Sequence, residues 1–539
     1  MLRRVQTAPD PRRARRTRAW AAALLALAFG LALRAPLLSI PFERDEGEYA
    51  YVAWRWLDGE TPYLHTFNQK PPAVFAVYAA FLALGADTPL RIHAAFALWL
   101  GATQLALFAF ARRLAGTEVA LGAAVLFAVV SAHPGFLGNA AQVEAFACLP
   151  IVAAAAAGAG VACAAMLLFK PVTAPIAALS LAWLVAAAPA RARAALAASA
   201  VGGAAAALGA CLAYFASVGG LGALWDSTIR FNLAYGTANP LASYPGAFRA
   251  RIVPTLPSLG AVYAVALLAP VVRRATRTKA ALGRDAAWAY AWLAAALAAA
   301  AAGGYFRHHY FFYAAAPLAL LAAAGLADLA GALRLPSPAR RHAPWLGALL
   351  AAALGVAAHP AYHLPGDGDR KARALYGANP FPESRGVAAF VARHSDPADE
   401  LFVFGSEPQL QFLARRANAG RYLLAYHYLL GPPEDALARQ REVLTTLRAS
   451  PPRFVATALY PTTLLEDEQT PRAIHEGLEA LLRARYRPVA ELRLQLDGEW
   501  TFDTRPEALA PWRVDPRVLL GDRSGFLVLY EREAPATRP

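Results

Sequence analysis

The chain has 539 residues, of which 58% are hydrophobic and only 17% are charged. This composition is too apolar for an ordinary soluble protein of that length, and it predicts an integral membrane protein. The formal net charge of +15 would suit a nucleic-acid-binding protein. The basic residues, however, cluster beside apolar segments, where they set membrane topology, and nucleic acid is therefore excluded as a partner.

The N-terminal segment, residues 1–18, carries seven arginines and is followed by an apolar run from Ala19 to Ile40. Positive residues beside a first span stay in the cytoplasm, which predicts that the chain after Ile40 lies outside. A cleaved signal peptide would instead have an apolar core of about 7 to 15 residues that ends in small residues. The longer run found here continues into Pro41 without a clear cleavage site and favours an uncleaved span. Arg34, late in this span, is expected to extend to the outer interface.

Apolar runs of about 20 residues, the length needed to cross a bilayer, recur from Ala19 to about His363. The segment "PPAVFAVYAAFLALG" is shorter, and placing it on or into the outer surface keeps the later basic clusters in the cytoplasm. This reading predicts a turn between Leu114 and Glu118 and about eleven spans in total. The region from Ala141 to Pro175 is the most crowded, because two crossings share it with only "GAG" as a turn. A single crossing there would place the later basic clusters outside.

The first outer stretch, "FERDEGEYAYVAWRWLDGETPYLHTFNQKPP", is rich in acids and aromatic residues. Its spacing predicts an amphipathic helix from Asp45 to Leu57, with Tyr and Trp side chains at the membrane–water boundary. Asp45 could cap this helix with Glu48 as the reciprocal partner, which is a structural reason for the acids. Capping does not explain "NQKPP", nor the second acid that the topology places outside, Glu144 of "NAAQVEAF".

The stretch "RDEGEYAYVAWRWLDGETPYLHTFNQKPP" resembles the first outer loop of polytopic glycosyltransferases with the GT-C fold. The nearest group is glycosyltransferase family 39, the protein-mannosyltransferase-like enzymes, together with the aminoarabinose transferase that modifies lipid A. The resemblance continues in matching order through "NAAQVEAF", "LLFKPVTAP" and "RHHYFFYAAAPLALL" to the outer C-terminal part. It covers most of the chain, and it is specific for the fold rather than for a substrate.

The resemblance implies an inverting transfer of a sugar from a polyprenyl-phosphate donor. Asp45 would be the catalytic base, Glu46 its companion, and Glu144 a second outer acid that orients substrate. Lys70 would hold the phosphate of the lipid carrier. The remaining substrate-binding candidates lie in later outer segments: Lys170, Arg307, His308 and Tyr310.

Several of these residues could instead have a purely structural role. Lys70 could extend to lipid headgroups, and Lys170, at an expected break between two short helices, could do the same. Glu144 at the start of an apolar span is costly unless it faces a cavity or a partner. His308 and His309 are adjacent and point to different sides of a helix, so they do not suit a shared metal.

No cofactor is assigned, and a divalent metal ion is left open. The lipid A branch of the family has a metal-binding acid directly before its K-P-P sequence, where this chain has Gln69. The expected partners are a polyprenyl-phosphate-linked sugar, membrane lipid, and an acceptor that is a lipid, a glycan or a protein.

The C-terminal part, residues 364–539, has a different character. "ELFVFG", "PPRFVATALY" and "SGFLVLY" predict buried strands, and "ESRGVAAFVARHS" and "ALARQREVLTTLRAS" predict helices between them. The alternation indicates an α/β domain outside the membrane, with either an acceptor-recognition or a purely stabilising role.

The sequence therefore predicts a polytopic α-helical membrane protein of GT-C type with a C-terminal extracytoplasmic α/β domain. Residues 1–18 form a cytoplasmic segment, and residues 19–363 form the membrane domain with a catalytic outer loop at 41–72. The expected location is the inner (cytoplasmic) membrane. Two other functions remain open: a transporter or flippase of lipid-linked sugars, and a non-catalytic membrane scaffold. The absence of a clear internal repeat disfavours the transporter.

Overall fold

The computed structural model describes residues 11–157, 160–236, 239–460, 462–466, 468–495, 498–514 and 525–533. The first ten residues of the predicted cytoplasmic segment lie outside these ranges. The chain divides into two compact units. The first contains the chain up to Leu38, His93–Leu208 and Pro240–Gly366, and the second contains Ser39–Ile92, Gly209–Asn239 and the chain from Asp367 onward.

Most of the chain is helical. The α-helices in the described ranges are α1 Pro11–Arg34, α2 Arg44–Leu57, α3 Ala73–Ala83, α4 Pro89–Ser131, α5 Val143–Ala157, α6 Gly160–Phe169, α7 Ala174–Ala187, α8 Ala190–Ser217, α9 Leu221–Trp225, α10 Phe231–Gly236, α11 Tyr244–Ile252, α12 Leu256–Thr276, α13 Ala286–Ala301, α14 Phe312–Ala332, α15 Ser337–Ala358, α16 Pro360–His363, α17 Gly368–Tyr376, α18 Ser384–Arg393, α19 Gln409–Ala414, α20 Tyr426–Leu429, α21 Pro433–Ala449, α22 Ala473–Arg485 and α23 Pro506–Val514.

Six helical segments in the described ranges are long and apolar enough to cross a membrane. They are Ala19–Leu37, Pro89–Ser131, Ala190–Ser217, Leu241–Thr276, Gly283–Gly304 and His308–Ala332. Four shorter apolar helices accompany them, among them α3 and α6. The predicted polytopic helical architecture is confirmed.

Two predicted interruptions are present in these helices. Gly116 breaks α4 with φ 83° and ψ 178°, between Leu114 and Glu118 as predicted. Lys170 separates α6 from α7 in an extended conformation, φ −161° and ψ 122°. A proline disfavours the helical conformation of the residue before it, and Pro171 therefore explains the second break.

Arg34 does not extend to an interface, so that expectation is wrong. Its side chain is buried and donates hydrogen bonds to the carbonyl oxygens of Gly138 (2.7 Å) and Ser131 (2.6 Å) and to the Ser131 hydroxyl (2.9 Å). A guanidinium has five N–H donors, so it can donate hydrogen bonds to several carbonyl oxygens that have no helical partner at the end of α4. Arg34 therefore fixes the connection that follows Ser131.

The second unit contains a six-stranded sheet. Its strands are β1 Glu400–Phe404, β2 Ala417–Asn418, β3 Phe454–Leu459, β4 Tyr486–Leu494, β5 Trp500–Asp503 and β6 Phe526–Arg532. Their order is β2-β1-β3-β6-β4-β5, with parallel pairing among β2, β1 and β3 and antiparallel pairing elsewhere. Side chains from both faces enter apolar cores, as in a layered α/β domain. The three predicted strands and two predicted helices are confirmed, whereas β2, β4 and β5 were not predicted.

Helix α3, the short apolar segment after Lys70, belongs to this second unit. Its 11 residues extend only about 16 Å, half of the hydrocarbon thickness of a bilayer. The buried rings of Phe75 and Tyr78 pack on Tyr49 of α2, with centroid distances of 6.1 and 5.6 Å. The prediction that this segment is too short to span is confirmed.

Candidate active site

The predicted helix in the first outer stretch is present, but its cap differs from the prediction. Glu43 is the N-cap residue: its carboxylate accepts a hydrogen bond from Glu46 N (3.1 Å), and Glu46 Oε2 accepts one from Glu43 N (3.3 Å). The capping box is therefore formed by Glu43 and Glu46 rather than by Asp45 and Glu48. Asp45 lies two positions past the cap, and its side chain is not part of the box.

The middle of helix α2, from Glu46 to Ala53, is buried in the second unit. Tyr49 and Tyr51 are buried, and the Tyr51 hydroxyl accepts a hydrogen bond from Asn418 N at 2.7 Å. Gly47 packs directly on the start of α19, where an added Cβ would lie 2.5 Å from Gln409 N. The aromatic residues of α2 therefore contribute to a protein core, which corrects the predicted interfacial placement of Tyr49 and Tyr51.

The segment around "NQKPP" is held by several backbone contacts. Asn68 Oδ1 accepts a hydrogen bond from Lys70 N (2.9 Å), the Tyr63 hydroxyl donates to Lys70 O (2.8 Å), and Asn232 donates to Gln69 O (2.7 Å). Phe67 lies in the apolar core beneath the sheet. These contacts fix the backbone on both sides of Lys70. The Lys70 side chain extends from this fixed backbone toward α2.

Lys70 joins two acids of α2, which we call the Lys70 cluster: Asp45, Glu48 and Lys70. Its Nζ lies 2.7 Å from Glu48 Oε2 and 3.4 Å from Asp45 Oδ1. The Glu48 side chain is fully buried, whereas that of Asp45 is 21% exposed. Burial alone would lower the pKa of Lys70, but the two carboxylates raise it well above its ordinary value. The lysine is therefore an ammonium, and Asp45 is the acid of the cluster that remains open to solvent.

Glu48 has a second neighbour on its other side. Its Oε1 lies 3.9 Å from Nε2 of His427, which is fully buried. Burial, followed by the charges of Lys70 and Arg439, lowers the pKa of His427 well below its ordinary value, so the imidazole is neutral. Burial raises the pKa of Glu48 to about 7 against the opposing effect of Lys70. Glu48 can therefore change its charge near neutral pH.

Glu46, the predicted companion of Asp45, is fully buried and takes part in the capping box described above. The capping box alone accounts for the position of the Glu46 carboxylate. Its catalytic role stays a prediction.

A second group in the first unit, the Glu144 cluster, contains Glu144, Lys170, His309 and Tyr310. Lys170 Nζ lies 2.5 Å from Glu144 Oε1, and His309 Nε2 lies 3.9 Å from the other carboxylate oxygen. The ammonium of Lys170 also stands 3.8 Å from the centroid of the Tyr310 ring, in a cation–π contact. Glu144 has no exposed side-chain surface, whereas Lys170 is 22% exposed. The structure therefore brings three predicted residues together in this cluster and adds His309.

His308 and Arg307 are arranged differently. The two ring nitrogens of His308 contact Arg251 Nη1 (2.9 Å) and Gly135 O (3.0 Å). Because the Gly135 carbonyl can only accept, His308 Nδ1 donates to it, and Nε2 accepts from Arg251. The guanidinium carbon of Arg307 lies 5.5 Å from the centroid of the Tyr305 ring. His308 therefore orients a guanidinium, and Arg251 was not anticipated from the sequence.

Three residues in or beside these clusters were not assigned to a site from the sequence: Glu48, His309 and His427. Glu48 could have been found, since it follows Asp45 by three residues and shares its helix face. His309 was set aside only as a metal ligand. His427 gave no signal, because nothing local marks a histidine more than 350 positions from its partner.

The residues around Lys70 do not fit a bound divalent metal. The ammonium of Lys70 already stands beside both carboxylates, and an added cation would be repelled by it. Within the described ranges there is no group of three or more His, Cys, Asp or Glu side chains that could hold a metal ion.

No protein-family profile matches the sequence, and no curated protein matches it. Among solved structures, the chain is similar to ArnT from Cupriavidus metallidurans bound to undecaprenyl phosphate, with a TM-score of 0.50 at 14% identity over 82% of this chain and 92% of that one. It also matches the oligosaccharyltransferase AglB from Archaeoglobus fulgidus, in complex with an inhibitory peptide and a dolichol-phosphate, with a TM-score of 0.47 at 12% identity over 91% and 75% of the two chains. The similarity to ArnT confirms the predicted fold, a GT-C-type polytopic membrane architecture with a C-terminal sheet domain.

Proposed function

We propose that this chain is a glycosyltransferase of the inner membrane that moves a sugar from a polyprenyl-phosphate donor to an acceptor outside the cytoplasm. The observation that carries the proposal is the Lys70 cluster, in which one ammonium stands beside a solvent-accessible and a buried carboxylate. The similar ArnT structure is bound to undecaprenyl phosphate, a carrier of the proposed class. In this proposal residues 1–18 lie in the cytoplasm, 19–363 form the membrane domain, and 364–539 lie outside.

Asp45 is the general base of the proposed reaction. It accepts the proton of the acceptor hydroxyl as that oxygen attacks the anomeric carbon of the donor sugar, with inversion. The Asp45 carboxylate is only 21% exposed and lies 3.4 Å from the Lys70 ammonium, and this ion pair restricts its orientation. The capping box of α2 is formed by Glu43 and Glu46, and Asp45 is not one of its two members.

Lys70 stabilises the leaving group. As the new glycosidic bond forms, the bond between the anomeric carbon and the phosphate oxygen breaks, and the electron pair leaves with the polyprenyl phosphate. The phosphate gains negative charge in this step, which a nearby ammonium in a water-poor site offsets. Glu48, at 2.7 Å, holds the ammonium in place.

The remaining substrate-binding candidates belong to the first unit: the Glu144 cluster, Arg307 and His308. Glu144 orients substrate, and Lys170, supported by the Tyr310 ring, binds anionic or hydroxyl groups of the substrates. Arg307 and His308 are kept as substrate-binding candidates, with His308 acting through Arg251. Glu46 remains a candidate companion of Asp45.

The test is lipid analysis of a strain from which this gene is deleted. We expect a polyprenyl-phosphate sugar to accumulate and one glycosylated lipid, glycan or protein to be missing. The wild-type gene restores both, whereas Asp45→Asn lowers the rate of donor clearance by about 10²- to 10⁴-fold, the usual contribution of a general base.

The matched control is Asp58→Asn, which changes the same functional group at the end of the same helix. Asp58 is 45% exposed and forms a surface ion pair with Arg55 across 3.0 Å, so clearance should stay at the wild-type rate. Wild-type clearance by Asp45→Asn would refute the assigned base. Accumulation of the donor only on the cytoplasmic side of the membrane in the deletion strain would instead favour a transporter.

A further inference from the structure

The loop that follows β1 holds a buried carboxylate with no role in the reaction described above. Glu407 lies three residues past the end of β1, and its side chain is fully buried. Its Oε2 accepts a hydrogen bond from Gln409 Nε2 (2.7 Å), and its Oε1 accepts one from the Thr463 hydroxyl (3.3 Å). Thr463 Oγ1 in turn accepts from Ser406 N at 2.8 Å. The carboxylate is thus fixed by the loops at the carboxyl ends of two parallel strands, β1 and β3.

The counterion of Glu407 is Arg44, the residue directly before Asp45. Arg44 Nη2 lies 3.0 Å from Glu407 Oε1, and Arg44 Nε donates to the carbonyl oxygen of Ser406. Burial alone would lower the pKa of Arg44, but Glu407 raises it above its ordinary value. One guanidinium therefore makes two directed contacts from the first residue of α2 to the β1 loop.

Helix stability does not explain an arginine at this position. A positive charge at the first residue of a helix is unfavourable, because the helix dipole already places partial positive charge there. A buried ion pair also adds little net stability compared with an apolar pair of similar size. What the pair does provide is a fixed geometry: a planar fork with two acceptors restrains both position and rotation.

We propose that Glu407 is a positioning residue for the sugar transfer, which acts through Arg44 to fix the first turn of α2 and so the carboxylate of Asp45. This inference rests on the proposed function. The neighbouring contact between Gly47 and Gln409 brings α2 against the same loop and limits any other seating of the helix. The Asp45–Lys70 distance of 3.4 Å depends on that seating. A displacement of a catalytic group by about 1 Å can cost on the order of 10²-fold in rate.

The test uses the full-length protein with Glu407→Gln, which keeps the shape and the acceptor oxygen but removes the charge. Turnover is the rate at which the donor accumulated in the deletion strain declines after induction, divided by the amount of monodisperse protein. We expect it to fall by about 10- to 10²-fold. The affinity of the purified protein for undecaprenyl phosphate should change by less than about 2-fold, because α2 is displaced slightly rather than unfolded.

Two further variants separate positioning from stability. Glu531→Gln changes a carboxylate in the same sheet that pairs with Arg453 and Arg487, and turnover should stay at the wild-type value. Arg44→Met/Glu407→Leu replaces the pair by apolar groups, which should preserve folding yet keep turnover low.

Wild-type turnover of either Glu407→Gln or the double variant, beside an inactive Asp45→Asn, would overturn the positioning role and leave the proposed function intact. A loss of undecaprenyl phosphate affinity as large as the loss of turnover would also overturn it. An active Asp45→Asn would instead refute the proposed function itself, and the positioning role with it.

Discussion

Each compact unit contains one buried glutamate paired with a lysine that precedes a proline. In the second unit the pair is Glu48 with Lys70 at 2.7 Å, and in the first it is Glu144 with Lys170 at 2.5 Å. In both, the glutamate side chain has no exposed surface, and the proline disfavours a helical conformation of the lysine before it. The same small motif therefore occurs twice in different surroundings.

The two pairs differ in their electrostatic surroundings. Around Lys70 a second carboxylate, Asp45, shares the ammonium, and the nearby His427 is neutral. Around Lys170 the described contacts are with the Glu144 carboxylate and the face of the Tyr310 ring, and His309 lies beside the same carboxylate. The Lys70 cluster thus has spare negative charge and suits proton acceptance, whereas the Glu144 cluster is balanced and suits binding of polar or anionic groups.

The largest difference should follow from removing the two lysines. Lys70→Met leaves two carboxylates without a counterion, and we expect a loss of about 3–5 kcal/mol in the free energy of unfolding together with loss of donor clearance. Lys170→Met leaves one carboxylate and should cost about 1–3 kcal/mol. Thermal unfolding of the purified protein in detergent, followed by tryptophan fluorescence, measures both. Lys279→Met, at an exposed position, is the control. Equal losses of unfolding free energy for Lys70→Met and Lys170→Met would contradict the proposed electrostatic difference between the two clusters.

The seating of α2 can be tested at Gly47. Gly47→Ala places a methyl group 2.5 Å from a backbone nitrogen that cannot move aside as a flexible side chain would. We expect a loss of about 1–3 kcal/mol in stability and slower donor clearance. Gly386→Ala is the matched control in α18 of the same unit, where an added Cβ meets nothing within 4 Å. It should stabilise the helix by up to about 1 kcal/mol, and a similar gain for Gly47→Ala would contradict the close packing.

The Lys70 cluster should also carry a pH dependence. Because burial raises the pKa of Glu48 from 4.5 to about 7, the folded protein binds more protons than the unfolded chain between these two values. Stability from this group is therefore greatest below pH 4.5 and declines as the pH rises through about 7. Glu48→Gln should show a smaller decline in unfolding temperature across this window. Asp45, Lys70 and His427 face the same carboxylate, and identical pH profiles of the two proteins would exclude Glu48 as the titrating group.

The smallest expected effect concerns the ring beneath Lys170. Tyr310→Leu removes the cation–π contact, and we expect the affinity for undecaprenyl phosphate to fall by about 2- to 5-fold, equivalent to about 0.5–1 kcal/mol. Tyr310→Phe keeps the ring and is the control. If both variants bind like the wild type, the ring does not orient Lys170 for binding.

Much of the local structure could be predicted because local rules determine it. The helix at Arg44–Leu57, the breaks at Gly116 and Lys170, and strands β1, β3 and β6 follow from periodicity and from glycine and proline. The capping box was assigned to the wrong acids, because Glu43, Asp45, Glu46 and Glu48 offer two overlapping patterns. Only the observed backbone shows which oxygen reaches which N–H.

The burial of α2 could not be predicted for a different reason. A helix with tyrosines and tryptophans beside an apolar segment is equally typical of a membrane interface and of a domain core. What decides between them is a partner distant in sequence, here Asn418 against Tyr51 and Gln409 against Gly47.

The sequence by itself determined the membrane character, the apolar helices, the α/β pattern of the C-terminal part, and the acids and lysines that merit attention. These depend on composition and on neighbours within a few positions, which a linear pattern contains. The tertiary structure alone decided that Glu48 pairs with Lys70 instead of capping its helix. It also decided that His427 lies beside Glu48 and that Arg44 pairs with Glu407. Charge pairing acts over a few ångströms in space, and only the folded chain brings residues more than 350 positions apart within that range.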